Sequence, residues 1–103
     1  MVKKKGTALL FVLVDVDAEH DAEFNRWYNE EHLPERLCAP GFLDAARYEA
    51  VKGGPRYLAV YELESAEAMQ TDEYLRQSQN PTEWTKRVGP LTLGRNFVRN
   101  VYT

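Results

Sequence analysis

One strand that is apolar on both of its faces constrains the fold of this chain more than any other stretch. Residues 7–16 read TALLFVLVDV, and apolar side chains occupy both alternating sets of positions. Because successive side chains of a strand point to opposite faces, both faces of this strand must be covered. In a chain of 103 residues its own helices can cover one face, so we expect a second copy of the chain to cover the other.

The rest of the chain predicts two helices and three more strands. A Lys-Gly-Gly-Pro sequence at 52–55 is typical of a tight connection between two antiparallel strands. The expected order is βαββαβ, which is an α+β, ferredoxin-like domain with a four-stranded antiparallel sheet. The elements are expected as follows: strand 7–16, helix 18–33 stopped or kinked at Pro34, strands 42–51 and 56–63, a helix from a Ser65 cap to about 77–79, one further helical turn at 81–87, and strand 91–102 with a bulge at Gly94.

Composition excludes several classes of protein. The net charge is −3 and the one basic run is Lys3 to Lys5, so a nucleic-acid binder, which needs a basic face, is not expected. A single cysteine, Cys38, excludes an intramolecular disulfide. The apolar run in 8–14 lacks a signal-peptide cleavage site and is far shorter than the roughly 20 residues that span a bilayer. We therefore expect one soluble, cytoplasmic domain over 1–103, with 1–6 as a flexible leader and no membrane partner.

The first helix carries polar groups on the face that should be buried. At about 100° per residue, Phe24, Tyr28 and Glu31 fall on one stripe, with His32 and Trp27 on its flanks. A helix that only packed against a sheet would place Leu, Ile or Val there. The pattern indicates that this face overlooks a cavity rather than a dry core.

His32 is the first candidate for chemistry, since a buried histidine near a helix end can serve as a general acid and base. The alternative is a capping histidine bonded to a loop carbonyl. Glu31, if it is buried, either orients His32 or accepts a substrate proton; the alternative is a carboxylate at the rim paired with Arg36 or Arg47. Tyr28 either binds a substrate oxygen or is a core tyrosine with a wet hydroxyl.

The remaining candidates are expected to bind substrate. Arg47 on the second strand could bind an anionic or carbonyl group, or pair with a carboxylate such as Glu49, Glu62 or an acid of the partner subunit. Small alanines beside the strand aromatics leave room for a pocket. The expected substrate-binding set is Trp27, Arg47, Tyr48, Tyr61, Trp84 as a lid, and Phe24. Neither a metal-ligand spacing nor a nucleotide-binding motif is present, so we predict no metal and no cofactor.

A set of spaced motifs resembles the dimeric α+β barrel superfamily, and within it the EthD-like and related uncharacterised bacterial families. The motifs are F-x-x-W-Y-x-x-E-H-x-P from Phe24 to Pro34, Pro-Gly-Phe at 40–42, Arg-Tyr at 47–48 and Y-L-A-x-Y at 57–61. The resemblance implies a homodimer whose sheets form a barrel, with a cavity in each subunit. It also implies His32 as acid and base and Tyr28 as its hydroxyl partner. The helix motif does not match the haem-binding branch.

Three hypotheses for function follow. The first is a small cofactor-independent isomerase, cyclase or lyase that acts on an aromatic, lactone or polyketide-like molecule by acid–base catalysis at His32. The second is a non-catalytic dimer that binds a small apolar or aromatic ligand. The third is a cofactor-free monooxygenase, in which Trp27, Tyr28 and Trp84 matter more than His32.

Overall fold

The computed structural model describes residues 6–92 and 96–103. The bulge expected at Gly94 and the leader up to Lys5 lie outside the described residues. Gly6, the last residue of the expected leader, is placed against the chain: a Cβ there would lie 2.0 Å from the carbonyl oxygen of Leu63. Gly6 therefore belongs to the packed domain, because only a residue without a side chain fits this approach.

The sheet has four antiparallel strands in the order β2-β3-β1-β4. This is the predicted α+β, ferredoxin-like fold, and the central place of β1 agrees with its apolar sequence. The strands are somewhat shorter than expected, and β4 shows the largest difference, because it covers only the end of the predicted 91–102. Their bounds are β1 Ala8–Val14, β2 Phe42–Glu49, β3 Tyr57–Leu63 and β4 Val98–Tyr102.

The first helical stretch changes its winding twice. After a 3₁₀ turn at Ala18–His20, helix α1 covers Asp21–Trp27, a π-helical segment covers Tyr28–His32, and helix α2 covers Leu33–Leu37. The backbone N–H of Leu33 bonds the carbonyl of Tyr28, five residues earlier. π turns are rare and occur most often at functional sites.

Of the two outcomes expected at Pro34, a stop or a kink, the stop was wrong. Pro34 lies in the first turn of α2, so the helical path passes through it. The first turn of a helix tolerates proline because the N–H groups there have no intrahelical acceptor to lose. The preceding π segment creates such a first turn in the middle of a continuous helix.

The second helical region is also divided. A 3₁₀ turn at Ala66–Gln70 precedes helix α3, Asp72–Gln79, and the α3 cap is the hydroxyl of Thr71, which accepts from the N–H of Tyr74. Ser65 occupies the expected N-cap position, at the start of the 3₁₀ turn, but its side chain makes no cap bond. The extra helical turn near Trp84 is confirmed as α4, Glu83–Val88, which is followed by a 3₁₀ turn at Gly89–Leu91.

The two faces of the sheet have different surroundings. The helices pack on the inner face, where Tyr61 and Leu63 are 1% and 0% exposed. On the outer face, Leu9, Phe11 and Leu13 of β1 are partly exposed. Their partners on β3 and β4 are mostly apolar, with Glu62 opposite Leu9 and Asn100 opposite Phe11 as the polar exceptions. No helix among the described residues is long and apolar enough to cross a membrane.

Candidate functional site

A cavity of about 500 Å³ lies between the inner face of the sheet and the helices. Its floor is the inward set of β1 side chains together with Tyr61 of β3. Its walls come from the first helical stretch, α3, α4 and the chain that leads into β4. The lining residues are Leu10, Val12, Val14, Phe24, Trp27, Tyr28, His32, Arg36, Tyr61, Tyr74, Pro81, Thr85, Lys86, Gly89, Pro90, Thr92, Phe97 and Arg99.

Two buried tyrosines from opposite layers meet at the cavity. The hydroxyl oxygens of Tyr28, in the π segment, and Tyr61, on β3, lie 2.6 Å apart and share a hydrogen bond. Burial raises the pKa of both phenols, so both remain protonated at neutral pH. With one proton used between them, the pair retains one O–H that can be donated to a ligand.

His32 has an unsatisfied nitrogen at the same site. Its ring stacks on the indole of Trp27 at 4.5 Å between centroids and meets the edge of Tyr28 at 4.9 Å. Nδ1 is buried and has no hydrogen-bond partner within the described residues. Burial, with a smaller contribution from the positive charges of Arg36 and Arg47, lowers the pKa of His32 to about 3. The imidazole is therefore neutral, and a buried polar atom without a partner marks a place where a ligand atom can bind.

Glu31 serves a different purpose from either of those expected. Its Oε2 accepts hydrogen bonds from the hydroxyls of Thr82 at 2.7 Å and Thr85 at 3.2 Å. Thr85 in turn accepts from the indole N–H of Trp27 at 3.1 Å. The expected rim pairing of Glu31 with Arg36 or Arg47 was wrong. The carboxylate instead ties the π segment to the start of α4 and fixes the position of Trp27 in the cavity wall.

Arg47 lies on the other side of Tyr28, away from the cavity lining. Its guanidinium is 4.5 Å from the ring centroid of Tyr28 and donates to the amide oxygens of Asn29 at 3.0 Å and Asn25 at 2.9 Å. The expected carboxylate partner, Glu49 or Glu62, was wrong, since Glu49 binds Arg56 instead. Arg47 thus packs beneath the helix as a half-buried cation held by neutral groups.

The structure brings five of the nine predicted site residues to the cavity and leaves four elsewhere. Phe24, Trp27, Tyr28, His32 and Tyr61 line it. Glu31 and Arg47 lie behind it. Tyr48 projects from β2 with 59% of its surface exposed, and Trp84 is packed against the core without lining the cavity. The neighbours of Trp84 on α4, Thr85 and Lys86, form that part of the wall.

Sequence reasoning missed a group of cationic and aromatic lining residues. Arg36 lies one helical turn after His32, and Arg99 interrupts an apolar strand. Both were visible signals that were not used. Arg99 donates a hydrogen bond to the hydroxyl of Tyr74 on α3, and Arg36 lies 5.0 Å over the Tyr74 ring. Within the described part of the chain, three or more His, Cys, Asp or Glu side chains nowhere group as they would around a metal ion.

A family model matches residues 7–87, and its description is a domain of unknown function, DUF4286. The chain belongs to this family. No curated protein matches the DUF4286 chain.

Solved structures share the fold of this DUF4286 protein at low sequence identity. A Bordetella bronchiseptica protein, named as a candidate antibiotic biosynthesis monooxygenase, is 21% identical with a TM-score of 0.71, over 96% of this chain and 97% of that one. A Streptomyces coelicolor monooxygenase, solved with the ligand nanaomycin D, is 16% identical with a TM-score of 0.69, over 95% and 87%. An EthD family protein of Bacillus halodurans is 18% identical with a TM-score of 0.62, over 93% and 97%. The expected likeness to EthD-like proteins is therefore found in the fold.

Proposed function

We propose that this protein is a cofactor-independent monooxygenase that acts on an aromatic, polyketide-like small molecule in the cavity beside Trp27, Tyr28 and His32. The observation that carries the proposal is the unsatisfied Nδ1 of His32, buried in a cavity with aromatic walls. Pockets of this size and character are typical sites for small organic ligands. The monooxygenases among the solved structures of the same fold support this choice of reaction.

The neutral state of His32 favours oxygenation over the isomerase, cyclase or lyase hypothesis. A general acid or base works best when its pKa is near the working pH, and the pKa of His32 is lowered to about 3. At pH 7 the imidazole is neutral, so it keeps one weakly acidic N–H, is a poor general acid and is a weak base. It is suited to orient a substrate oxygen by a hydrogen bond, and the free O–H of the Tyr28–Tyr61 pair is suited to do the same.

The proposed reaction needs only dioxygen as co-reactant. An activated CH₂ group of the substrate becomes C=O, and the two hydrogens leave with the second oxygen atom as water. The carbon loses four electrons and dioxygen gains four, so the reaction balances without an external reductant. The protein would exclude water and hold the substrate against the indole of Trp27, with its oxygens directed to His32 and Tyr28.

Oxygen uptake tests the proposal. We would incubate the protein with 1,8-dihydroxyanthrone, whose CH₂ is activated by two aromatic rings, and follow dioxygen with an electrode and ¹⁸O incorporation by mass spectrometry. We expect uptake above the protein-free rate, falling about tenfold or more in Trp27→Phe and Tyr28→Phe. Tyr57→Phe is the matched control, because Tyr57 does not line the cavity. Uptake equal to the protein-free rate would contradict the proposal, and ligand binding without uptake would favour a non-catalytic binding protein.

We further propose that the protein is a homodimer that buries the outer face of the sheet. That face joins Leu9, Phe11 and Leu13 of β1 to Leu58 and Val60 of β3, with Val98 and Tyr102 of β4 beside them. Val98 and Tyr102 are 40% and 50% exposed in the single chain. An apolar face of this extent is typical of a surface that another subunit covers.

A further inference from the structure

The charged residues that line the cavity have one sign. Among the described residues that line it, Arg36, Lys86 and Arg99 are cationic, and none is an aspartate or a glutamate. This contrasts with the chain as a whole, which carries a net charge of −3. A cavity with low-dielectric walls and charges of one sign attracts ligands of the opposite charge.

Arg36 is a largely buried cation with no close acidic partner. Its side chain is 15% exposed, and its nearest carboxylate is that of Glu35 at 3.9 Å, at the outer limit of an ion pair. The guanidinium instead donates to the amide oxygen of Gln77 at 2.8 Å and lies over the ring of Tyr74. Gln77 is itself buried and bonded to the carbonyl of Glu35 at 2.7 Å, so Arg36 is held firmly by neutral groups.

Arg99 reaches the same tyrosine from the sheet. It donates to the hydroxyl of Tyr74, and within the described residues no carboxylate pairs with it at ion-pair distance. Tyr74 is fixed from behind by a stacked Phe42 ring at 5.5 Å. Two guanidinium groups, one from α2 and one from β4, therefore converge on Tyr74 at one wall of the cavity. Each has N–H donors beyond those used in the bonds described, and these can bind an anion.

We propose that the cavity binds its ligand as an aromatic anion, with a carboxylate or phenolate oxygen bound by Arg36 and Arg99 and the aromatic body against Phe24 and Trp27. The inference depends on the proposed function in one respect: the anion that binds in the cavity would be the substrate that the monooxygenase oxidises. A charge-assisted hydrogen bond to guanidinium stabilises an anionic oxygen more than a neutral one. Arg36 is largely buried and Arg99 is exposed to solvent, and a neutral ligand of the same shape would offer neither guanidinium an anionic acceptor.

Calorimetric titration with matched ligands tests this directly. We would compare 2-naphthoate with 2-naphthamide, which has the same shape without the charge, at low ionic strength and pH 7. We expect naphthoate to bind at least about tenfold more tightly, since one charge-assisted bond is equivalent to roughly a tenfold change or more in affinity. Titration of 2-naphthol at rising pH tests the phenolate as the source of the charge: its affinity should increase as it ionises.

Arginine variants locate the anion. Arg99→Gln is expected to remove most of the preference for naphthoate, and Arg36→Lys, which keeps the charge but not the planar fork, to weaken it. Arg56→Gln is the matched control, since Arg56 is exposed and does not line the cavity. Equal affinity for naphthoate and naphthamide, or binding of neither, would overturn the inference. Because binding is measured without turnover, tight naphthoate binding together with no oxygen uptake from 1,8-dihydroxyanthrone would overturn the proposed monooxygenase activity and leave this inference standing.

Discussion

The inner and outer faces of the sheet are built from the same kinds of residue, yet they differ in what covers them. On β1, Leu10, Val12 and Val14 line the cavity under the helices, whereas Leu9, Phe11 and Leu13 face outward with no part of the described chain packed over them as a layer. The inner face also carries paired tyrosines, while the outer face is mainly aliphatic. The difference agrees with the proposals that a small ligand binds on the inner face and that a second subunit covers the outer face.

The largest expected effect is on the outer face. Val60→Lys places a charge at the centre of the proposed interface, opposite Phe11. An unpaired charge in a buried interface costs several kcal/mol, so the dimer dissociation constant should rise about a hundredfold or more. Light scattering after size exclusion at micromolar concentration should change from about twice the chain mass of 11.9 kDa to that mass.

A matched control separates this effect from general charge repulsion. Val51→Lys makes the same substitution at a hairpin position that is fully exposed, and it should leave the dimer unchanged. A wild-type chain that is monomeric at these concentrations would contradict the homodimer, as would a Val60→Lys protein that remains dimeric.

An intermediate effect is expected on the inner face. Tyr28→Phe and Tyr61→Phe each remove one hydroxyl of the 2.6 Å pair and leave the other buried without its partner. Each single change should lower the free energy of unfolding by about 1–3 kcal/mol, and the double variant should cost clearly less than the sum of the two. Urea denaturation at one protein concentration measures all three. Strictly additive losses would show that the two hydroxyls do not depend on each other.

The third expected effect is a pH dependence from His32, which is the smallest of the three near neutral pH and increases as the pH falls. Its folded-state pKa is about 3, below the ordinary value of 6.5. As the pH falls below 6.5, His32 binds a proton in the unfolded chain but stays neutral in the folded chain. The free energy of unfolding therefore decreases until the pH reaches about 3. The slope contributed by this one group is at most about 1.4 kcal/mol per pH unit.

The His32→Gln variant should therefore lose stability less steeply between pH 6.5 and pH 4 than the wild type. His20→Gln, at an exposed 3₁₀ turn, is the control and should follow the wild-type curve. Nitrogen NMR of the wild-type imidazole provides an independent check. An imidazolium signal from His32 at pH 5 would contradict the neutral state on which the site argument depends.

Sequence reasoning reached the fold because the decisive signals are local. The two-sided apolar pattern of β1 and the Gly-Gly-Pro connection between β2 and β3 follow from strand geometry and turn chemistry. Phe24, Trp27, Tyr28 and His32 were found by helical periodicity, which brings residues three or four apart to one side.

The partners of the polar residues could not be predicted, since they lie far along the chain. Glu31 binds Thr82, which is 51 residues away, and no rule of spacing joins them. The π segment was not predicted for a different reason. A helical pattern that assumes 3.6 residues per turn throughout cannot reveal a local change in the number of residues per turn. The helix was expected to stop or kink at Pro34 for the same reason. In the structure Pro34 lies in the first turn of α2, where proline is tolerated.

The π segment also determines how the side chains of α2 are rotated about the helix axis relative to those of α1. A π turn holds one more residue than an α turn, and each residue advances an α-helix by about 100°. Deleting one residue of the segment, such as Glu30, would restore ordinary winding and rotate α2 by roughly that angle relative to α1. Arg36 would then point away from Tyr74 while Trp27 kept its place. The extra residue in this helix thus fixes the angle about the helix axis between Trp27 in the aromatic wall and Arg36.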